Sequence, residues 1–331
     1  MSKIHVNFVR GKRVESTHSI KALVTDVNNS ILFSTNNDND YIFPRSSVKI
    51  FQAIPFAVSD AIKKYKLNNR HVALACASHK GEKFHLSELK NWISKINLKT
   101  KSLQCGIHGP LDKKSSEKLI VSRERFNELH NNCAGKHLGM LSSCVANNYE
   151  IRNYLNFNHP HQKNIRIVFN KFTENKLTKN NFSLDGCSAP QYSFKIKSIS
   201  KALNNLIKSY NNEFEYTTAT RILINSIFKN PNYIGGTKSF DSKVIKASKK
   251  NIFCKYGAEG VFLFVHFKKG ISGVIKVSDG NERAIPITAI NIFRKLKVMN
   301  SRELGSLEKN EQFYLKNHAN KKIGYISSTI K

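Results

Sequence analysis

The sequence predicts an α/β (α+β) fold, in which both ends of the chain build one antiparallel sheet and a helical region is inserted between them. Near the start, residues 3–10 and about 19–34 alternate between apolar and polar side chains, as half-buried strands do. Near the end, three strand-like runs cover residues 251–254, 261–267 and 273–277. Most of the sequence between these two regions has helical periodicity. Strands grouped at both ends and helices grouped between them indicate an α+β architecture.

Length and composition indicate a globular protein. The chain has 331 residues, and 40% of them are hydrophobic, which is enough to bury a sizeable core. It contains no internal repeat and no linker that would divide it cleanly. We therefore predict a single domain covering residues 1–331.

Charge and hydropathy bear on the partners of the protein. The formal net charge of +31 invites a nucleic-acid hypothesis, but the lysines are spread along the whole sequence rather than clustered. This distribution favours a solvated lysine surface without a nucleic-acid site. No apolar run approaches the roughly 18 residues of a membrane span, and the first residues lack the apolar segment of a signal peptide. We expect a cytoplasmic protein without a membrane partner, whose six scattered cysteines are reduced thiols or metal ligands rather than disulfides.

The first predicted strands are followed by a candidate nucleophile. A turn is expected at residues 28–30, and the polar cluster at residues 10–18 is too rich in Glu, Ser and His to be only a hairpin. A helix is then predicted from Ser46 to about residue 65. In such a helix Ser46 and Lys49 would lie on one face, one turn apart.

This pair has two interpretations. A serine hydroxyl needs an adjacent base to become a good nucleophile, and Lys49 could be that base if burial depresses its pKa. The free N–H groups of a helix start would favour negative charge beside the hydroxyl. The alternative is that Ser46 caps the helix and Lys49 is solvated, because Ser-x-x-Lys arises by chance in lysine-rich chains.

The next apolar run, residues 71–76, has the length of a strand, and it leads into a polar turn that carries Ser78. The same turn holds His79, Glu82 and His85. These three side chains could together bind a metal ion, but the His-Glu-x-x-His pattern of zinc proteases is absent. We favour a turn that ends where a helix begins at His85, with an amphipathic helix over residues 86–98.

The middle of the chain contains two clusters of reactive side chains. A stiff turn at residues 105–110 and a lysine-rich loop precede a predicted helix at 122–131. Cys133, Lys136 and His137 follow and would share a face if their segment is helical. Cys with His suggests a metal, although a lone Cys is more often a small buried hydrophobic residue.

A second cysteine cluster follows a predicted helix at residues 162–178. Asp185, Gly186 and Cys187 form a turn that Pro190 closes. Helices are predicted at about 196–209 and 215–229, and Lys255 begins a polar interruption between two strands. A last helix should end near residue 296.

Seven short blocks carry these polar side chains in a fixed order. They are Arg10-Gly11 with Glu15-Ser16 and His18; Pro44-Arg45-Ser46-Ser47 with Lys49; Cys76-Ala77-Ser78-His79 with Gly81-Glu82 and His85; Cys105-Gly106 with His108 and Pro110; Asn131-Asn132-Cys133 with Gly135-Lys136-His137; Asp185-Gly186-Cys187 with Pro190; and Lys255 with Gly257-Ala258-Glu259-Gly260. Together they resemble the rhizobial-type (class 3) L-asparaginases, also called the asparaginase II family. That family is similar in fold to serine β-lactamases, penicillin-binding proteins and serine-type glutaminases.

The resemblance implies a single catalytic domain that hydrolyses L-asparagine to L-aspartate and ammonia. It implies two Ser–Lys pairs, Ser46 with Lys49 and Ser78 with Lys255. We take Ser46 as the nucleophile, with Ser78 as its competitor. A related amidase such as a glutaminase, or a non-catalytic binding protein on the same fold, remains the alternative.

The resemblance also implies a zinc ion bound by Cys133, Lys136 and Cys187, which would position substrate-binding loops rather than perform the hydrolysis. The candidates for substrate contact are side chains next to these groups: Arg45, His137 and Asp185. An arginine such as Arg45 is suited to bind the α-carboxylate of the substrate, and a carboxylate such as that of Asp185 is suited to bind its α-ammonium group. The resemblance further suggests a homodimer.

Overall fold

The computed structural model of the protein describes residues 3–330. The strands are β1 (Ile4–Arg10), β2 (Arg13–Asp26), β3 (Ile31–Ser34), β4 (Tyr41–Ile42), β5 (Phe182–Leu184), β6 (Pro190–Tyr192), β7 (Phe194–Lys195), β8 (Ile252–Gly257), β9 (Val261–His266), β10 (Ile271–Val277), β11 (Tyr314–Lys316) and β12 (Lys322–Ile330). The helices are α1 (Lys49–Gln52), α2 (Ile54–Val58), α3 (Ala61–Lys64), α4 (Asn69–Ala75), α5 (Lys83–Lys95), α6 (Lys113–Val121), α7 (Ala134–Ala146), α8 (Pro160–Thr173), α9 (Ile196–Asn211), α10 (Thr217–Lys229), α11 (Phe240–Ala247), α12 (Ile285–Lys295) and α13 (Ser301–Glu308).

The main sheet is antiparallel and has the order β11-β12-β1-β2-β10-β9-β8, with β3 paired to β2. The prediction of a mixed α/β protein, whose sheet takes strands from both chain ends around an inserted helical region, is confirmed. The two C-terminal strands, β11 and β12, were not predicted. β12 pairs with β1 along its length, from Ile4 opposite Ile330 to Arg10 opposite Gly324.

The chain forms two compact units, and each is made of separate segments. The first unit comprises the residues up to Ser47, Phe194–Ile207, and the residues from Lys243 onward. The second unit comprises Val48–Ser193 and Lys208–Ser242. The prediction of one catalytic domain over residues 1–331 stays a prediction.

The core of the first unit lies where helix α12 packs on the main sheet. All six residues of β9 are buried. Phe264 of this strand contacts Phe293 of α12 edge to face, with ring centroids 4.9 Å apart. Gly273 of β10 lies under the Phe264 ring, and a Cβ there would come within 2.2 Å of it. Burial of one such aromatic side chain contributes about 1.5–3 kcal/mol.

The second unit is mainly helical, and a glycine permits its tightest helix contact. Helix α7 packs against α4, where a Cβ on Gly135 would lie 2.2 Å from the carbonyl oxygen of Leu74. Helix α5 is held to α7 by a buried hydrogen bond of 2.9 Å, which Trp92 Nε1 donates to Ser142 Oγ. Gly135 directly precedes Lys136, so this contact fixes the backbone at the start of the predicted metal cluster.

The helix predicted from Ser46 to residue 65 is interrupted. A 3-10 turn at Arg45–Val48 precedes α1, and the short helices α2 and α3 follow. Helix α2 ends at Ser59, whose ψ of 156° is extended. Since one periodic apolar pattern runs through all of these pieces, the breaks were not visible in the sequence.

The strand predicted at residues 71–76 is wrong, because this run belongs to helix α4. Asn68 accepts hydrogen bonds from the backbone of Arg70 and His71, and the His71 side chain accepts one from the Asn68 backbone. This capping box stabilises a helix start. Periodicity alone cannot separate a short buried helix from a buried strand.

Two further predictions are corrected. The lysine-rich segment predicted as a loop contains helix α6, which Asp112 caps by accepting from the backbone of Ser115. The helix predicted at residues 122–131 is reduced to a 3-10 turn at Glu128–His130.

The polar cluster at residues 10–18 lies in the hairpin between β1 and β2, and it does more than form a turn, because His18 Nδ1 lies 2.6 Å from Asp279 Oδ2 and Arg283 donates to Ser16 Oγ at 2.8 Å. Within residues 3–330, no helix combines the length and the apolar character needed to cross a membrane.

Candidate active site

In the first unit, the segment that carries Ser46 packs on the end of strand β8. Arg45 has φ 54°, a left-handed conformation that non-glycine residues adopt at a cost. A Cβ on Gly257 would lie 2.2 Å from the carbonyl oxygen of Pro44, so only glycine allows this approach. Lys255 is buried and precedes Gly257 by two residues in the strand, and it therefore faces the same side. Strand β8 thus directs Lys255 toward the face that receives the Pro44–Ser47 turn.

The structure excludes the capping interpretation of Ser46. The residue that precedes α1 is Val48, and no side chain of the described residues 3–330 caps that helix. Ser46 is half-buried in the 3-10 turn. The neighbouring Ser47 is buried and donates its hydroxyl to the carbonyl oxygen of Pro44 at 2.6 Å. Ser47 therefore has a structural hydrogen bond.

In the second unit, Lys49 is fully buried. Its Nζ lies 2.5 Å from the carbonyl oxygen of Ala77 and 3.1 Å from Ser78 Oγ. It also lies 3.2 Å from Cys133 Sγ. The alternative of a solvated Lys49 is therefore wrong. The structure brings the amine of Lys49 to the hydroxyl of Ser78, a contact that the sequence did not predict.

Ser78 is held by backbone hydrogen bonds on both sides. Its N–H donates to the carbonyl oxygen of Ile234 at 2.9 Å, and the N–H of His79 donates to that of Asn132 at 3.2 Å. The His79 ring is buried, and its Nδ1 accepts from the N–H of Gly81 at 3.1 Å. Burial above all holds the pKa of His79 well below its usual range. His79 is therefore a neutral structural residue of this turn.

Asn131 joins two of the sequence blocks. Its Nδ2 donates to the carbonyl oxygen of Cys105 at 2.7 Å, and its Oδ1 accepts from the N–H of Cys133 at 2.9 Å. Beside it, the N–H of Asn132 donates to His108 Nε2 at 3.0 Å. Asn131 and His108 thus fix the backbone at Asn132 and Cys133, where the first predicted metal ligand lies.

The predicted zinc ligands lie together in the second unit. Lys136 Nζ is 3.1 Å from Cys187 Sγ, and all three side chains are buried. A hydrogen bond from Cys133 lowers the pKa of Cys187 against the effect of burial, and the same bond raises the pKa of Cys133. Burial opposes the charged form of Lys136, but Cys187, Cys133 and Asp185 outweigh it and raise the pKa of the amine.

This donor set fits a zinc ion. Zinc prefers sulfur and nitrogen ligands, and here two thiols and an amine converge. Binding would release protons from the lysine and from a thiol, because ligands must be deprotonated. Among residues 3–330, no group of three or more His, Cys, Asp or Glu side chains could hold a metal ion, and this set contains only two of that kind.

The two predicted substrate contacts in the second unit, His137 and Asp185, flank these ligands. His137 is buried in α7, and burial first, then Lys136, lowers its pKa to about 3, so its ring is neutral. Asp185 is half-buried in a tight loop closed by two backbone hydrogen bonds, between its N–H and Ala189 and between its carbonyl oxygen and Ser188. Asp185 contributes to the raised pKa of Lys136, so its carboxylate acts on the same cluster.

Comparison with known proteins decides the family. The family model described as L-asparaginase II matches residues 6–328, nearly the whole chain. The chain belongs to the asparaginase II family. This asparaginase II protein is therefore an asparaginase-type amidohydrolase, and the resemblance derived from the seven sequence blocks is confirmed.

Solved structures give weaker similarities for this asparaginase II protein. A crystal structure of a Bacteroides dorei protein assigned to the beta-lactamases is 10% identical, with a TM-score of 0.40, over 89% of this chain and 93% of that one. A beta-lactamase from Mycobacterium bovis is 11% identical, with a TM-score of 0.41, over 88% of this chain and 94% of that one. No curated protein matches the sequence.

One residue of the site escaped the sequence analysis. Tyr154 lies in the irregular segment between α7 and α8, and its hydroxyl contacts His137 Nδ1 at 2.5 Å. A tyrosine in a polar stretch carries no signal for this role, because the contact joins two residues 17 apart, one in α7 and one in the irregular segment after it.

Proposed function

We propose that the protein hydrolyses L-asparagine to L-aspartate and ammonia through an acyl-enzyme formed on Ser46. The observation that carries the Ser–Lys chemistry is the fully buried Lys49, whose Nζ lies 3.1 Å from Ser78 Oγ, and the choice of Ser46 over Ser78 comes from the family resemblance. A buried lysine amine beside a serine hydroxyl is suited to proton transfer, because desolvation favours the neutral amine. Membership of the asparaginase II family supplies the amide substrate class.

In the first half-reaction, Ser46 Oγ attacks the side-chain amide carbon while Lys49 accepts the hydroxyl proton. The new C–O bond gives a tetrahedral intermediate, and its collapse breaks the C–N bond. The departing nitrogen takes a proton and leaves as ammonia, so that a β-aspartyl ester remains on Ser46. In the second half-reaction, water attacks the ester carbon, Ser46 regains its proton, and aspartate is released.

Ser78 and Lys255 are proposed to relay protons. Ser78 Oγ is within hydrogen-bond distance of Lys49 Nζ, which gives the accepted proton a route toward the leaving nitrogen. Lys255 is proposed to work with Ser78 when the water is activated. The same contact makes Ser78 the competing nucleophile, because Lys49 could deprotonate it directly.

We further propose that Cys133, Lys136 and Cys187 bind zinc. When bound, the ion would join the start of α7 to the Cys187 loop and hold both in one arrangement. The proposed hydrolysis uses only Ser46, Ser78 and the two lysines, so that every proton step has a protein donor or acceptor.

Substrate recognition is proposed for three charged and polar side chains. Arg45 is proposed to bind the α-carboxylate, because a guanidinium can donate two parallel hydrogen bonds. Asp185 is proposed to bind the α-ammonium group. His137 is buried and neutral, and it is proposed as an uncharged hydrogen-bonding contact.

The test is ammonia release by the purified protein with L-asparagine and with L-glutamine. We expect kcat/KM for asparagine to exceed that for glutamine. Turnover of glutamine alone would assign the protein to the alternative, a glutaminase, and turnover of neither amide would favour a binding protein on this fold. The family resemblance also leads us to propose a homodimer, which light scattering of the same preparation would test.

A further inference from the structure

His137 is fixed by an aromatic neighbour that the proposed mechanism does not use. Its Nδ1 lies 2.5 Å from the hydroxyl oxygen of Tyr154, and the two rings are nearly perpendicular, at 88°. Both side chains are fully buried. A neutral imidazole carries its proton on only one nitrogen, so this contact decides what the other nitrogen can do.

The direction of this hydrogen bond follows from the second partner of Tyr154. The backbone N–H of Gln104 donates to the same hydroxyl oxygen at 3.0 Å. The hydroxyl therefore accepts from Gln104, and its hydrogen is left for Nδ1 of His137. If Nδ1 carried the proton instead, the buried hydroxyl hydrogen would have no acceptor among residues 3–330. Buried hydroxyl groups in folded proteins almost always have one.

Tyr154 is itself held in position by α8. The side chain of Gln162, which is buried, donates to the Tyr154 carbonyl oxygen at 2.9 Å. The tyrosine is thus fixed at its backbone by Gln162 and at its hydroxyl by Gln104. Such a residue has the rigidity needed to orient a neighbouring ring.

We propose that Tyr154 is a positioning residue that locks His137 in the tautomer protonated at Nε2, so that Nε2–H donates a hydrogen bond to an oxygen atom of the bound substrate. Within residues 3–330, Nε2 of His137 is buried and has no hydrogen-bond partner. This inference rests on the proposed function for the identity of the substrate. It determines which substrate atom His137 can bind: an oxygen of a carboxylate or an amide accepts from Nε2–H, whereas an ammonium group, which only donates, does not.

The tautomer can be measured without substrate, and so independently of the proposed function. Nitrogen-15 NMR of the full-length protein with labelled histidine distinguishes a protonated ring nitrogen from an unprotonated one. We expect His137 to show a protonated Nε2 and an unprotonated Nδ1, and the Tyr154→Phe variant to lose this fixed pattern. A protonated Nδ1 in the unmutated protein would overturn the proposal, whether or not the protein hydrolyses asparagine.

Kinetics then test the donor role. Tyr154→Phe should raise KM for the amide substrate, or lower kcat if the bound oxygen belongs to the reacting amide, by about tenfold, which corresponds to about 1.4 kcal/mol. Tyr149→Phe is the matched control, because Tyr149 packs against the ring of His159 rather than His137. Unchanged KM and kcat in Tyr154→Phe would overturn the proposal.

A second pair of variants separates the donor from packing. His137→Gln keeps an N–H group near the Nε2 position, whereas His137→Leu keeps only volume. We expect His137→Gln to retain a kcat/KM at least about tenfold above that of His137→Leu, in line with one hydrogen bond of about 1.4 kcal/mol. Equal kcat/KM values in two folded variants would show that the donor has no role.

Discussion

The Nζ of Lys49 lies 3.1 Å from the Oγ of Ser78, and these two residues come from two different blocks of the sequence. The lysine is fully buried, and a backbone hydrogen bond to Ile234 holds the serine. The amine of Lys49 therefore contacts the turn that carries Ser78. In the proposed mechanism the same amine accepts the proton of Ser46.

Replacement of Lys49 should abolish most of the activity. Lys49→Met removes the base while keeping the length of the side chain, and Lys49→Arg keeps a charge that cannot be lost at neutral pH. General base catalysis contributes about 10²–10⁴-fold, so kcat should fall by about that factor in both variants. Lys63→Met, at an exposed site in α3, is the control. Near-normal turnover of Lys49→Arg would contradict the role of a neutral amine.

The zinc proposal predicts a selective effect of cysteine variants. Cys133→Ala should lower the ratio of zinc to protein, measured by elemental analysis, because it removes one of three donors. Cys144→Ala is the matched control, since this cysteine is also buried and lies in α7, the helix that Cys133 directly precedes. Zinc loss in both variants would indicate a general structural effect, and zinc loss in neither would contradict the assigned ligand.

Gly135→Ala should destabilise the second unit. The added methyl group would lie 2.2 Å from the carbonyl oxygen of Leu74, so that α7 would have to move away from α4. Overpacking of this kind costs about 1–3 kcal/mol of unfolding free energy, which urea denaturation would measure.

Gly305→Ala provides the opposite control within a helix. In the described part of the chain, no atom outside its own helix backbone and its two neighbours lies within 4 Å of the position that its Cβ would occupy in α13. Alanine should stabilise this helix by roughly 0.5–1 kcal/mol, because it restricts the unfolded chain. A destabilisation as large as that of Gly135→Ala would show that helix geometry, and not the Leu74 contact, explains both results.

Buried histidines should make the protein less stable in acid. Burial lowers the pKa of His161 to about 3, whereas an unfolded histidine titrates near about 6.5. Between these two values the unfolded chain binds a proton that the folded His161 does not. The free energy of unfolding therefore falls as pH decreases, by about 1.36 kcal/mol per pH unit for this group.

His161→Leu isolates this contribution. The variant cannot bind the proton in either state, so its unfolding free energy should decline less steeply from pH 6.5 toward pH 3 than that of the unmutated protein, by about 1.36 kcal/mol per unit. Urea denaturation at several pH values measures both slopes. Parallel curves for the two proteins would contradict the lowered pKa of His161.

The strands of the main sheet were largely predictable, since one buried face imposes a strict alternation, as in β1, or a continuous apolar run, as in β9. Helix α6 was not, because its lysine-rich sequence has no buried face to produce a periodic pattern. Helix α4 was mistaken for a strand, since its seven residues are too few to distinguish helical periodicity from a short buried strand.

The family resemblance identified the residues of the candidate site. It did not predict several of the contacts between their side chains. Lys49 and Ser78 are 29 residues apart, and Lys136 and Cys187 are 51 apart. Such contacts depend on tertiary packing. Here they depend on the approach of α7 to α4 at Gly135 and on the hydrogen bond from Asn131 to the carbonyl oxygen of Cys105. Spacing along a single sequence does not contain that information.

The central claim is that Ser46 is the nucleophile, and ammonia release from L-asparagine by Ser46→Ala tests it most directly. The control is Ser47→Ala, which removes the neighbouring hydroxyl that bonds to the Pro44 carbonyl oxygen. The proposed mechanism predicts that Ser46→Ala loses nearly all turnover while Ser47→Ala, if folded, retains most of it. Turnover by Ser46→Ala equal to that of the unmutated protein would contradict the claim and move the nucleophile to Ser78.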